Sequence, residues 1–151
     1  MRGFYQPFCE VLLTMPKDFN YYDTFIQVAP DCPVKQAVVP VSKGENKTVA
    51  VHEYECLSTK PYFYTQEELF FSVHVGRLGI SAKQLKSQRD KLWAEFFATP
   101  RACMRASALT KKYGWGVHYD HAGKMALIAM QDKKYQQFAR DRKLKQLLAM
   151  R

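Results

Sequence analysis

Arg105, Ser107, Lys111 and Lys112 are, by type and spacing, the residues best suited to hold an anion. Residues two apart on a strand share a face, so Arg105 and Ser107 are expected to point the same way. The lysine pair follows within reach. Arginine offers a planar bidentate fork, serine a small donor and lysine a mobile point charge. Tyr113 and Trp115 would add a stacking wall. The competing reading pairs Arg105 with a carboxylate such as Glu68 and leaves the lysines solvated. Cys103 falls on the same expected face, where the Arg105 charge would favour a thiolate. His118 or His121 would then serve as base in a thiol enzyme. Against this, no nucleophile elbow surrounds Cys103, and cysteine is among the most often buried residues.

The other candidate groups are more scattered. His52, His74, His118 and His121 show no metal-binding spacing, and none lies at zinc-finger distance from Cys9, Cys32, Cys56 or Cys103. No metal and no cofactor are assigned on that basis. Glu67 and Glu68 could be general acids, but a place in the first turn of a helix already accounts for them.

Charge placement favours an acidic partner. The chain carries a net +9, yet residues 101–151 hold twelve Lys/Arg and only three Asp/Glu, so the whole excess lies there. A small anionic ligand, nucleic acid or an acidic protein would fit such a balance, as would a merely solvated basic helix. Nucleic-acid binding would use the interleaved tyrosines and tryptophan. No RNP, KH or zinc-knuckle pattern is present, and Tyr113, Trp115 and Tyr119 alternate as core residues would.

These residues need elements to position them. Tyr22, Thr24, Ile26 and Val28 alternate as a strand that ends at Pro30. VKQAVVPVSKG reads as an extended edge segment or loop, because Pro40 cannot donate to a central ladder. Asn46 or Thr48 would cap a helix through Lys60, with Ala50, Tyr54 and Leu57 on its apolar face and His52, Glu53 and Glu55 elsewhere, although the valine-rich start also allows a strand. Thr65 to Glu68 is a capping box for a helix to about Arg77, with Gly79 past its end. Ser81 to Gln84 is a second box, opening a helix that Pro100 closes and that carries Leu85, Leu92, Trp93, Phe96 and Phe97 as its stripe. Cys103 to Ala108 then alternates as a strand. Tyr113 to Tyr119 and KMALIAM form a hairpin about Asp120-His-Ala-Gly123. Gly114 and Gly116 leave one strand face without bulk, for a close-packed element or a ligand. The tail from Gln131 reads as helix, capped by Asp132 and broken near Arg140 and Asp141, with Leu144, Leu147 and Leu148 beyond the break.

NYYDTFIQVAPDCPV, PYFYTQEEL and RASALTKKYGWGVHYDHAGKMAL together resemble a family of small bacterial and fungal proteins known only as a domain of unknown function. The resemblance runs from about Asn20 to the C-terminus. It implies membership and no activity, cofactor or catalytic residue.

The expected architecture is α+β: a mainly antiparallel sheet of four to five strands, with helices packed on one side. Residues 1–16 are expected to be a poorly ordered extension, with Met15 a candidate start, and 17–151 a single globular domain. With 47% hydrophobic and 25% charged residues the chain is globular rather than disordered. Four cysteines without a CxxC pair suit a reducing cytoplasm, and no apolar run is long enough to span a membrane. The leading expectation is a small-anion-binding domain. The alternatives are a thiol enzyme and a nucleic-acid or protein interaction module using the basic C-terminal third. Oligomeric state is left open.

Overall fold

The alternating run after Asp23 forms strand β1, Thr24–Gln27, whose first three residues are fully buried. In the computed structural model, which describes residues 18–151, the elements that follow are α1 (Val49–Thr59), α2 (Gln66–Leu78), α3 (Ala82–Phe97), a 3-10 turn (Met104–Ala106), α4 (Ala108–Lys111), β2 (Trp115–Tyr119), β3 (Met125–Ala129), α5 (Lys133–Ala139) and β4 (Lys145–Leu148). The chain is α+β. The expected N-terminal extension lies outside the described residues. Those residues divide into two compact units: residues 81–101, which carry α3, with Asp18 and Phe19; and residues 20–80 with 102–151.

In the larger unit the sheet order is β3-β2-β1-β4. β3 and β2, and β2 and β1, pair antiparallel, whereas β1 and β4 pair parallel, Phe25 opposite Gln146. The sheet is therefore mixed rather than mainly antiparallel, and it has four strands. The parallel strand comes from the tail that was expected to be helical. There α5 stops at Arg140, and Asp141 turns the chain by accepting from Leu144 N–H through its carbonyl and from Lys143 N–H through its carboxylate. β1 then supplies the competing partners: Asp23 C=O accepts from Lys145 N–H (2.8 Å) and Gln27 C=O from Ala149 N–H (2.9 Å). Those ladder bonds satisfy an otherwise open side of β1, which an extra helical turn would not do.

Side chains alternate across the sheet. Ile26, Val117, Tyr119 and Met125 face Ala50, Leu57, Leu69, Val73, Met104 and Leu109 from α1, α2, the 3-10 turn and α4, and this is the main core. Helices are not confined to that side. On the opposite face the Phe25 ring meets Tyr135 and Phe138 of α5 at 5.1 and 5.7 Å between centroids. Gly116 makes that packing possible, because a Cβ there would lie 2.8 Å from both the Phe25 and Tyr135 rings. The bare strand face thus admits a helix.

Local signals explain the helix boundaries. Thr48 caps α1. Thr65 and Glu68 form the full capping box of α2, which ends at Gly79 with φ 69°. Ser81 caps α3 through Gln84 N–H, and this helix departs from helical dihedrals at Gln88. Gly123 closes the β2–β3 turn at φ 81°, where Asp120 accepts from Ala122 and Lys124 N–H.

Candidate functional site

The Cys103–Ala108 segment is not a strand. Met104–Ala106 is a 3-10 turn, and Ser107 is the N-cap of α4, its Oγ accepting from Leu109 N–H at 3.1 Å. Short polar side chains offer the backbone such local bonds in place of a ladder. The segment is pinned further by Met104 N–H donating to buried Gln66 Oε1 (3.1 Å) and Thr110 Oγ1 donating to Met104 C=O (2.8 Å). Arg105 and Ser107 consequently diverge. Arg105 Nε donates to Leu148 C=O at 2.7 Å, beside β4. Ser107 Oγ donates inward to Glu53 Oε1 at 2.7 Å. Lys111 ends α4 and Lys112 is its C-cap. Tyr113 and Trp115 pack against the core, and Trp115 Nε1 donates to Val38 C=O. Glu68 pairs with Lys124 and not with Arg105.

Cys103 and His118 sit on opposite sheet faces. Cys103 Sγ accepts from Tyr21 O–H (3.4 Å), and the Tyr21 ring stands edge-on to Tyr119 on the main-core side. Burial together with the Cys103 contact pushes the Tyr21 phenol up to about 12. His118 lies on the α5 side. It stacks on Phe138 at 4.0 Å between centroids, and its Nδ1 meets Tyr62 Oη at 2.8 Å. Burial lowers the His118 pKa against the opposing pull of Asp120, Asp141 and Asp23. His121 is bonded to Asp23 at the hairpin. Among the described residues no group of three or more His, Cys, Asp or Glu is arranged to hold a metal.

Glu53 departs from its expected place on the polar face of α1. It is 3% exposed, and burial raises its carboxyl to about 7, with the Ser107 hydrogen bond holding it lower than burial alone would. The signal was present in the spacing: Glu53 is three residues after Ala50 and four before Leu57, so it shares their face. A second buried polar contact lies nearby in the core. Tyr119 O–H donates to Gln66 Oε1 at 2.7 Å, and burial drives the Tyr119 phenol well above its ordinary value.

A pocket of about 500 Å³ opens where the segment before α1 meets the end of α2. It is lined by Glu45, Asn46, Lys47, His52, Gly76 and Arg77. Lys47 pairs with Glu55 at 2.7 Å, with both side chains about half exposed. Neither Arg77 nor the His52 ring has a hydrogen-bond or ion-pair partner among the described residues. Burial lowers the His52 pKa, Lys47 and Arg77 lower it further, and Glu55 opposes them. Gly76 gives the imidazole room, since a Cβ there would lie 3.3 Å from His52 Cε1. A lone glycine inside a helical pattern was the available clue to this close approach.

No helix among the described residues is long and apolar enough to cross a membrane. No curated protein and no solved structure matches the chain. A model described as a family of unknown function does match, over residues 16–151. The match takes in every element described above and begins slightly upstream of Asn20, so the chain belongs to the family of unknown function DUF6157.

Proposed function

We propose that this protein binds a small anionic ligand, and that the pocket between α1 and α2 receives it. The supporting observation is the convergence of Lys47, His52 and Arg77 on one cleft, with Arg77 and the imidazole free to donate. A phosphate or carboxylate there would take a forked contact from Arg77, and would share the Lys47 ammonium with Glu55. Asn46 can orient it, while Glu45 disfavours ligands of high charge density. The expected ligand is therefore singly or doubly charged and small. Arg105, Ser107, Lys111, Lys112, Tyr113 and Trp115 are not gathered into one place, so they are a weaker basis for this reading than the pocket. We retain a cytoplasmic setting, which the free thiols of Cys32, Cys56 and Cys103 favour.

The test is a titration with inorganic phosphate and with a simple phosphomonoester, followed by the His52 imidazole NMR signals and by thermal unfolding. A bound anion offsets the repulsion from Lys47 and Arg77, so the His52 pKa rises and the melting temperature increases. Arg77→Ala removes both effects. An unmoved His52 with an unmoved melting temperature for both probes refutes the proposal.

A further inference from the structure

We infer that the outer edge of β4 is a docking site for an extended acidic peptide, held by strand addition and by Arg105. β4 ends the sheet, and three of its four residues are exposed. Lys145 and Ala149 donate inward to β1, so the N–H groups of Gln146 and Leu148 between them face outward. Both end strands are covered in part: at β4, Arg105 takes Leu148 C=O through its Nε and Met150 N–H through its own carbonyl, which leaves the N–H groups of Gln146 and Leu148 outward. At β3, Met125 accepts from Tyr62 N–H and donates to Tyr64 C=O, so the 62–64 segment covers the start of that edge. An outward row of backbone donors and acceptors is a template for another strand.

Arg105 marks one end of this edge. Its Nε is fixed on Leu148 C=O, and its own carbonyl accepts from Met150 N–H at 2.7 Å. The two terminal guanidinium nitrogens have no carboxylate partner among the described residues. Lys145 starts the strand at the opposite end from Arg105, with Arg142 and Lys143 on its approach, and none of the three forms an ion pair among the described residues. Charge therefore selects an acidic occupant, and the exposed Leu148 and Met150 select one that alternates acidic with apolar side chains. A strand of that pattern would set its backbone against Gln146 and Leu148 and a carboxylate on the Arg105 fork. This site is separate from the anion pocket, because it shares no residue with it.

The experiment is fluorescence anisotropy at near-physiological ionic strength, with a labelled peptide of alternating Glu and Val. The comparison probes are the same peptide N-methylated at every second residue and a single-stranded oligonucleotide. Saturable binding of the unmodified peptide is expected, with loss on N-methylation, which removes edge-facing N–H groups and leaves the charge. R105Q weakens it about tenfold through loss of a charge-assisted bond. Q146P abolishes it by removing an outward N–H at an edge position where proline is tolerated. Equal binding of the N-methylated peptide, tighter binding of the oligonucleotide, no binding of the peptide, or a wild-type dimer that Q146P dissociates would each overturn the inference. The N-methylated comparison needs no variant, so it decides the matter even where Q146P fails to fold.

Discussion

Replacing Glu53 with Gln should remove a pH dependence that the wild-type fold carries in its core. The carboxyl rises from an ordinary 4.5 to about 7 because it is buried on α1 against Ser107. Between those values the folded state holds a proton that the unfolded state releases. The unfolded state then binds fewer protons, so unfolding free energy falls as pH rises. This contribution is fully present below 4.5 and is lost as pH rises through about 7. A shift of about two and a half units at about 1.4 kcal/mol each amounts to roughly 3 kcal/mol. Of this, about 2–3 kcal/mol falls between about pH 5 and pH 8. Glu53→Gln keeps an oxygen for Ser107 Oγ–H and cannot ionise. Urea unfolding of both proteins at the two pH values isolates the effect, because titrations elsewhere cancel in the difference. The variant should gain about 2–3 kcal/mol relative to wild type on going from the lower pH to the higher. A relative change below about 0.5 kcal/mol would refute the reasoning, since it would mean that ionised Glu53 is accommodated without loss.

Three further outcomes are expected. Gly116→Val drives a side chain into the Phe25 and Tyr135 rings and toward Ile26 C=O at 3.1 Å; it should cost about 2–3 kcal/mol, and an unchanged urea midpoint would contradict the packing of α5. Tyr119→Phe takes one donor from Gln66 Oε1 and leaves Met104 N–H; the expected loss is about 1–2 kcal/mol in urea unfolding, and no loss would remove that contact from the account of the core. His118 should titrate below the ordinary histidine value because burial disfavours its charged form. Its stability contribution is then present above 6.5 and lost as pH falls through its folded pKa, and an NMR titration placing it at or above 6.5 would refute this.

The elements that could be read from sequence are those with chemically local signals. Thr65 and Glu68 form their capping box whatever the rest of the chain does. Asp120 and Gly123 make the hairpin turn, and Asp132 caps α5. Each needs partners only a few residues away. β4 needs Asp23 and Gln27, more than a hundred residues upstream in the chain. Leu144, Leu147 and Leu148 satisfy helical spacing equally well, so only the open side of β1 decides between helix and strand. The same logic governs 103–108, where alternation suggests a strand. Buried Gln66, from another helix, takes the Met104 N–H, and the Ser107 hydroxyl takes Leu109 N–H, which draws the segment into a turn.

The turn at 103–108 also decides what the charged residues can do. On a strand, Arg105 and Ser107 would have presented one anion-binding face. With Ser107 capping α4, its hydroxyl lies between the backbone and Glu53 and is no longer available to a surface ligand. Arg105 is carried instead to the sheet edge, where one nitrogen holds Leu148 and the rest of the fork remains open. A single local preference for capping over pairing thus separates a buried acid from a half-buried base at the sheet edge. The proposed anion site therefore falls in the pocket between α1 and α2, whose residues carry no motif, and Arg105 stands at a backbone edge instead. Charge composition motivates the proposal of an acidic partner; hydrogen-bond partners distant in sequence determine which surfaces are left to offer it.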